Sequence, residues 1–253
     1  MNAQVRIRWL VLIFLLEAAL FIALQSTRLL TQVRIPRHLA KELAGPSGPS
    51  VILQKFSFEN QASLKSWEEK IFKGRTHYQV LHENNESFLN TSSQNASSGL
   101  YTRISTEVSP DLFLSWKWRA ISFPQKKEPQ QLSNRKEDDF AARVYVIFPA
   151  SNFFKSDVIE YVWDKNLPSG TVASSPFSER VKLFVIQSGL PSQENSGWRE
   201  EERNIYEDYR RLFGKEAARA AGVIALMSDS DNTGTESEAD FGTILLKTRY
   251  KIA

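Results

Sequence analysis

From Trp9 to Leu24 the chain is apolar at every position except Glu17, and beyond Val51 apolar residues return mostly in alternation with polar ones. In Leu114-Ser115-Trp116-Lys117-Trp118-Arg119 every second residue is apolar. That is the period of a half-buried strand, with Leu114, Trp116 and Trp118 on one face and Lys117 and Arg119 on the other. Phe140 to Phe148 repeats it: Phe140, Ala142, Val144, Val146 and Phe148 face a core, while Arg143 and Tyr145 point away. Val51–Phe58, His77–Leu81, Gly99–Ile104, Val158–Trp163, Val181–Gln187, Gly222–Ser228 and Phe241–Tyr250 read as further strands, giving about nine. Helical spacing appears once, over Glu200–Phe213, where Ile205, Tyr209 and Leu212 recur and Gly214 follows as a stop. The segments Glu83–Ser98, rich in Asn, Ser and Thr, and Pro124–Glu137, rich in Gln, Lys and Pro, read as exposed loops. Many strands without regularly intervening helices predict a mainly β fold, a jelly-roll-like β-sandwich with one α-helix at about 200–213.

The amino-terminal apolar run is preceded by Arg6 and Arg8 and spans 16 positions. As a helix it reaches roughly 24 Å, slightly less than a hydrocarbon core of about 30 Å. Ala23-Leu24-Gln25-Ser26 is a poor cleavage site, which favours an uncleaved membrane helix over a removed signal peptide. Positive charges lie on both sides, with Arg28, Arg34, Arg37 and Lys41 following the run, and a strict count keeps the carboxyl-terminal side cytoplasmic. Glu42–Ser50, ELAGPSGPS, reads as a linker, so the expected organisation is an anchor or signal segment plus linker over 1–50 and a β-sandwich domain over 51–253.

Composition sharpens this picture in two places. The chain contains no cysteine, which excludes disulfides, thiolate metal sites and a cysteine nucleophile. Its overall charge of +3 comes from the first 50 residues, which carry +4, so residues 51–253 carry −1. A nucleic-acid partner is therefore not expected.

Candidate chemistry is concentrated in a few places. Asp229-Ser230-Asp231-Asn232-Thr233-Gly234 follows an apolar run and crowds acidic oxygens on a turn. Asp229, Asp231 and Asn232 are candidate ligands for Ca²⁺, with Asp240 as a fourth, although an Asx-rich turn without metal has the same sequence. Lys117, Arg119, Arg143, Tyr145, Tyr161 and Trp163 form a candidate sugar-binding face if they share one side of a sheet. The alternative is that Tyr161 and Trp163 are core. Asp138, Asp139, Glu200 to Glu202, Asp208, Asp229 and Asp231 supply carboxylates, but no pair is distinguished. Asn85, Asn90 and Asn95 begin glycosylation-type tripeptides that also describe a polar loop. His38, His77 and His82 have no joint ligand spacing, and no nucleophile elbow, phosphate loop or zinc motif is present.

The runs Leu114 to Arg119, Asp138 to Tyr145, Tyr161-Val162-Trp163, Trp198 to Asn204 with Glu207-Asp208-Tyr209, and Gly222 to Gly234, in this order, resemble a bacterial family catalogued as domain of unknown function 3047. The similarity covers roughly residues 53–248. Leu226-Met227-Ser228 ahead of the acidic turn and the insertion at 124–137 depart from its pattern. The resemblance implies an exported, envelope-associated β-rich domain similar to galactose-binding-like jelly rolls, and it brings no established activity. It also marks Asp139, Arg143, Trp163, Arg203, Asn204, Asp208, Asp229, Asp231 and Asn232 as candidates for a shared site, to which parity adds Tyr145. The expected protein is an inner-membrane, single-pass anchor with its domain in the periplasm. Its leading role is binding a glycan or other polar envelope polymer, with calcium as the one cofactor to consider. A carboxylate-based glycan hydrolase or lyase and a structural or partner-docking protein are the alternatives.

Overall fold

The computed structural model describes residues 44–45, 48–127, 134–150, 155–192, 194–217 and 220–249. The expected membrane segment and four of the nine residues of the expected linker lie outside them; the other five linker residues, 44–45 and 48–50, are strand and pair with one another or with the last described strand instead of forming a free connection. No described helix is long and apolar enough to cross a membrane. In chain order the strands are β1 (Ala44–Gly45), β2 (Gly48–Phe56), β3 (Glu68–Lys73), β4 (His77–Glu83), β5 (Glu86–Gln94), β6 (Ser97–Glu107) and β7 (Leu112–Ser122). There follow β8 (Ala142–Phe148), β9 (Asp157–Asp164), β10 (Val172–Ser175), β11 (Ser178–Ser188) and β12 (Arg199–Asn204). The chain then enters the helix α1 (Ile205–Phe213) and ends its described part with β13 (Ala220–Asp229) and β14 (Glu236–Arg249).

These strands make two seven-stranded sheets packed face to face, the sandwich that the alternation predicts. In the first sheet β14 is central. One edge pairs with β7, which carries β12, and the other pairs with β5 along one half and β2 along the other. The second sheet runs β10-β11-β9-β8-β13-β6-β3, and all its pairs are antiparallel except β9 with β11.

Between the sheets lies an aromatic core. Trp116 and Trp118 of β7 meet Tyr161 and Trp163 of β9, with ring centroids 5.3 Å apart for Trp116–Tyr161 and 5.8 Å for Trp118–Trp163. Val144, Val146, Ile224, Leu226, Phe241 and Leu246 fill the space around them. All eight residues of β9 are buried, as are nine of the ten in β13. The sequence of β13 shows no clean alternation because both faces of this strand are covered.

Two expectations need correction. Glu83–Ser98 is not an exposed loop: β4, β5 and the start of β6 occupy it, joined by tight turns at Asn84-Asn85 (φ 50° and 63°) and Asn95 (φ 45°). Asparagine tolerates this left-handed backbone, and two such residues in succession suit a two-residue hairpin. The strand is polar because its inward groups find partners; Thr91 Oγ1 donates to the Ala239 carbonyl, and Ser93 Oγ to that of Ala96. The helix begins at Ile205, not Glu200. Arg199–Asn204 pairs along β7, and the Asn204 side chain, accepting from the Glu207 amide at 2.9 Å, caps the helix where the pairing ends. α1 closes one end of the sandwich, burying Ile205, Tyr209 and Leu212.

Candidate functional site: a cleft on the outer face of the second sheet

Residues alternate across the second sheet, so the set that turns away from the core forms ordered rows. Ala225, Tyr145 and Glu160 are direct partners across β13, β8 and β9, and Met227, Arg143 and Val162 make the adjacent row. A cavity of about 160 Å³ lies over this surface. Its floor includes Tyr145, Ile147, Val158, Val181 and Ala225, mostly apolar; Phe177 and Met227 stand at its walls. Asp138, Arg143, Glu160, Asp229, Asp231 and Asn232 border it at one end.

Arg143 organises that end. Its Nε and Nη2 donate to Asp229 Oδ1 and Oδ2 at 2.8 and 2.6 Å, its Nη1 to Glu160 Oε1 at 2.5 Å, and Nη2 also to the Asp138 carbonyl at 2.5 Å. Arg143 is only 3% exposed. Burial works against its charge, but Asp229, Tyr145, Glu160 and Asp138 more than offset this and hold it protonated. The ring of Phe140 lies between two cations, with Arg143 at 4.5 Å and Lys126 at 3.6 Å from its centre. Burial pushes the Asp138 carboxyl up to about 7, opposed by Arg143 and Lys126 and assisted by Glu160 and Asp139. Burial likewise raises the Tyr145 phenol well above its ordinary value, so it stays neutral; its hydroxyl lies 3.5 Å from Met227 Sδ.

The acidic turn is built on Asp139, which is fully buried. Its Oδ1 accepts from the Asn232 amide and Nδ2, and its Oδ2 from the Thr233 amide and Oγ1 at 2.6 and 2.7 Å. Oxygens of Asp139, Asp229 and Asp231 lie within 4.8 Å of one another. The donor set does not fit a calcium shell, which needs six to eight oxygens. Both carboxylates of Asp139 and Asp229 are spent on hydrogen bonds, and the charge that a metal would supply to Asp229 comes from Arg143. Asp240, the expected fourth ligand, lies on the outer side of the first sheet, held by Arg119 Nε at 2.7 Å and Asn90 Nδ2 at 2.8 Å.

The expected shared face divides into three places. Arg143, Tyr145, Asp229, Asp231 and Asn232 border the cleft, with Asp139 supporting it. Trp163 and Tyr161 belong to the core; Trp163 is 1% exposed and donates its indole N–H to the Gly189 carbonyl. Arg203, Asn204 and Asp208 gather at α1 on the core side of the second sheet. There Arg203 makes a two-point pair with Asp208 at 2.8 and 2.5 Å, and Tyr161 Oη donates to Asp208 at 2.8 Å. Lys117 and Arg119 lie on the outer side of the first sheet, against the Trp198 ring at 4.8 and 4.9 Å. Strand parity is certain within a strand, but nothing local says which of two sheets a strand joins.

Glu160 and Asp138 enter the site without having been singled out as its members. A carboxylate inside the apolar run Val158-Ile159-Glu160-Tyr161-Val162-Trp163 was a legible signal, since a buried charge requires a partner.

Among solved structures, the chain is similar to the family 11 carbohydrate-binding module of the cellulosomal cellulase Lic26A-Cel5E of Clostridium thermocellum (TM-score 0.42, 9% identity, 81% of this chain and 96% of that one). It is also similar to the CBM22-1 xylan-binding domain of Paenibacillus barcinonensis Xyn10C (0.39, 8%, 80% and 97%). A third is the xyloglucanase domain of NopAA from Sinorhizobium fredii (0.40, 9%, 79% and 98%). Likenesses this distant assign no ligand. No curated protein matches the chain. Residues 65–245 match the family described as protein of unknown function DUF3047, and the chain belongs to that family.

Proposed function

We propose that the protein is a glycan-binding β-sandwich, held at the bacterial envelope by its amino-terminal segment, that takes its ligand in the cleft over Tyr145 and Glu160. The observation that carries this reading is the pairing, in one cavity, of an apolar floor and wall with carboxylates fixed by Arg143. A sugar ring offers the complement: C–H faces that pack on Tyr145, Phe177 and Met227, and hydroxyls that donate to carboxylates. The cavity volume of about 160 Å³ is close to the ~150 Å³ of a cavity that accepts one six-membered ring.

The geometry favours binding over hydrolysis. Asp138 and Glu160 approach the same nitrogen of Arg143, at 3.6 and 2.5 Å. They are thus tied to a single cation and not placed across a reacting bond. Calcium has no part in this reading.

Calorimetric titration of the full chain with neutral, acidic and amino oligosaccharides tests it. At least one class binds, and Tyr145→Ala weakens that binding about tenfold, equivalent to about 1.4 kcal/mol, when measured well below the variant's own melting transition. Binding that survives both Tyr145→Ala and Glu160→Gln at wild-type strength places the ligand elsewhere and overturns the assignment.

A further inference from the structure

We infer that the ligand of this cleft carries a cationic amine, as in an amino sugar whose nitrogen is not acylated, and that the ammonium group seats at the end bordered by Asp138, Glu160 and Asp231. This rests on the glycan reading above and narrows it.

The argument is a balance of donors and charge. Among the described residues lining the cleft, Asp138, Glu160, Asp229 and Asp231 bring carboxylates, and only Lys73 and Arg143 bring cations. Of these Arg143 is the buried one, and it has no donor left for a ligand. All three guanidinium nitrogens of Arg143 are committed, to Asp229, Glu160 and Asp138. Lys73 Nζ donates to the Asp231 carbonyl at 2.7 Å and to Asn95 Oδ1 at 3.2 Å. The carboxylates are not used up in the same way. Glu160 places one oxygen, Oε1, on Arg143. Asp138 is 8% exposed, and its Oδ1 is buried without a hydrogen bond, its nearest cation being Arg143 Nη1 at 3.6 Å.

An unsatisfied buried carboxylate oxygen is costly, and the group that satisfies it best supplies both a proton donor and a positive charge. An ammonium has three donors and no acceptor. A uronic acid, sulfate or phosphate would bring further acceptors beside Asp138 and Glu160, where the one buried cation, Arg143, is already engaged. The aromatic members of the lining, Phe72, Tyr145 and Phe177, act in the same direction, because ring faces attract cations.

The test compares four probes on the full-length protein at pH 7: a β-1,4-linked glucosamine tetramer, its fully N-acetylated counterpart, cellotetraose, and tetramethylammonium. The glucosamine tetramer is expected to bind at least tenfold more tightly than the other two oligosaccharides. In Glu160→Gln and Asp138→Asn, each checked for a cooperative melt, that preference shrinks severalfold. The comparison on the wild-type chain stands whether or not the variants fold. Equal or tighter binding of the acetylated or neutral tetramer overturns the inference and leaves the glycan reading in place. Binding of tetramethylammonium with none of the oligosaccharides supports the cation preference and overturns the glycan reading. Binding of none of the four overturns the inference and leaves the glycan reading to the acidic oligosaccharides of the titration above.

Discussion

Arg143 of β8 reaches past its ladder partner Met227 to form a two-point pair with Asp229, two residues further along β13, while its remaining nitrogen holds Glu160 of β9. One guanidinium therefore ties three adjacent strands together on the side of the sheet away from the core. Arginine suits this position because its planar fork can serve two carboxylates in fixed directions, which a lysine ammonium cannot.

Arg143→Ala leaves Asp229 and Glu160 buried without a counter-charge. Removing one partner of a buried pair costs about 3–5 kcal/mol, which for a chain of this size is a fall in melting temperature on the order of 10 °C. Arg143→Lys recovers only part of that loss. Thermal unfolding followed by circular dichroism measures both, and a fall of under about 2 °C for the alanine variant would show that the pair contributes nothing net.

Asp138 predicts a pH dependence of stability. Its carboxyl titrates near 7 when folded, raised by burial, against an ordinary value of 3.8. Between those values the folded state holds a proton that the unfolded chain has lost, so this group's contribution falls as pH rises from about 4 through 7 and is flat beyond. Melting curves from pH 5 to 8 should show the decline, and Asp138→Asn should make it shallower, the remainder coming from Asp229, whose carboxyl burial also raises. A wild-type melting temperature that rises across this range would contradict the assignment.

The cluster at α1 should behave as structure alone. Tyr161→Phe removes the hydroxyl that donates to Asp208, at a cost of about 1–2 kcal/mol, and Arg203→Ala breaks the pair beside it. Both variants are expected to melt earlier and to bind the cleft ligand with wild-type affinity. Loss of affinity in Arg203→Ala at unchanged stability would return Arg203 to the binding site.

Gly242 predicts a steric coupling on the other sheet. A Cβ there would collide with Lys117 Cγ and lie 2.9 Å from its Cε and 3.2 Å from its Cδ, so the lysine stem occupies the space a side chain would need. Gly242→Ala should destabilise by about 1–3 kcal/mol. Adding Lys117→Ala should restore part of the loss, and a double-mutant cycle with no interaction energy would count against the contact.

How far the sequence carried can be followed through particular residues. Alternation alone put Arg143 and Tyr145 on the face away from the core, because period two is a property of the strand itself. The same rule applied to Tyr161 and Trp163 gave no choice between core and cleft, since a strand buried on both faces is apolar in both registers. The buried polar strand β5 was hidden by composition: Asn90, Thr91 and Ser93 look like a loop until their partners on β14 and in the following turn are known. Asp138 was visible as an acid, but its shifted titration comes from burial, which no local pattern announces.

β14 joins β2, β5 and β7, so the last described strand is the one on which the whole first sheet closes. Pairings between residues so far apart in the chain form slowly, because loop closure precedes the gain from contact. During synthesis, β2, β5 and β7 emerge with edges that nothing can cap until Glu236–Arg249 has been made. The nascent chain consequently passes through an interval of exposed strand edges, a hazard for aggregation, in which a chaperone would be of most use.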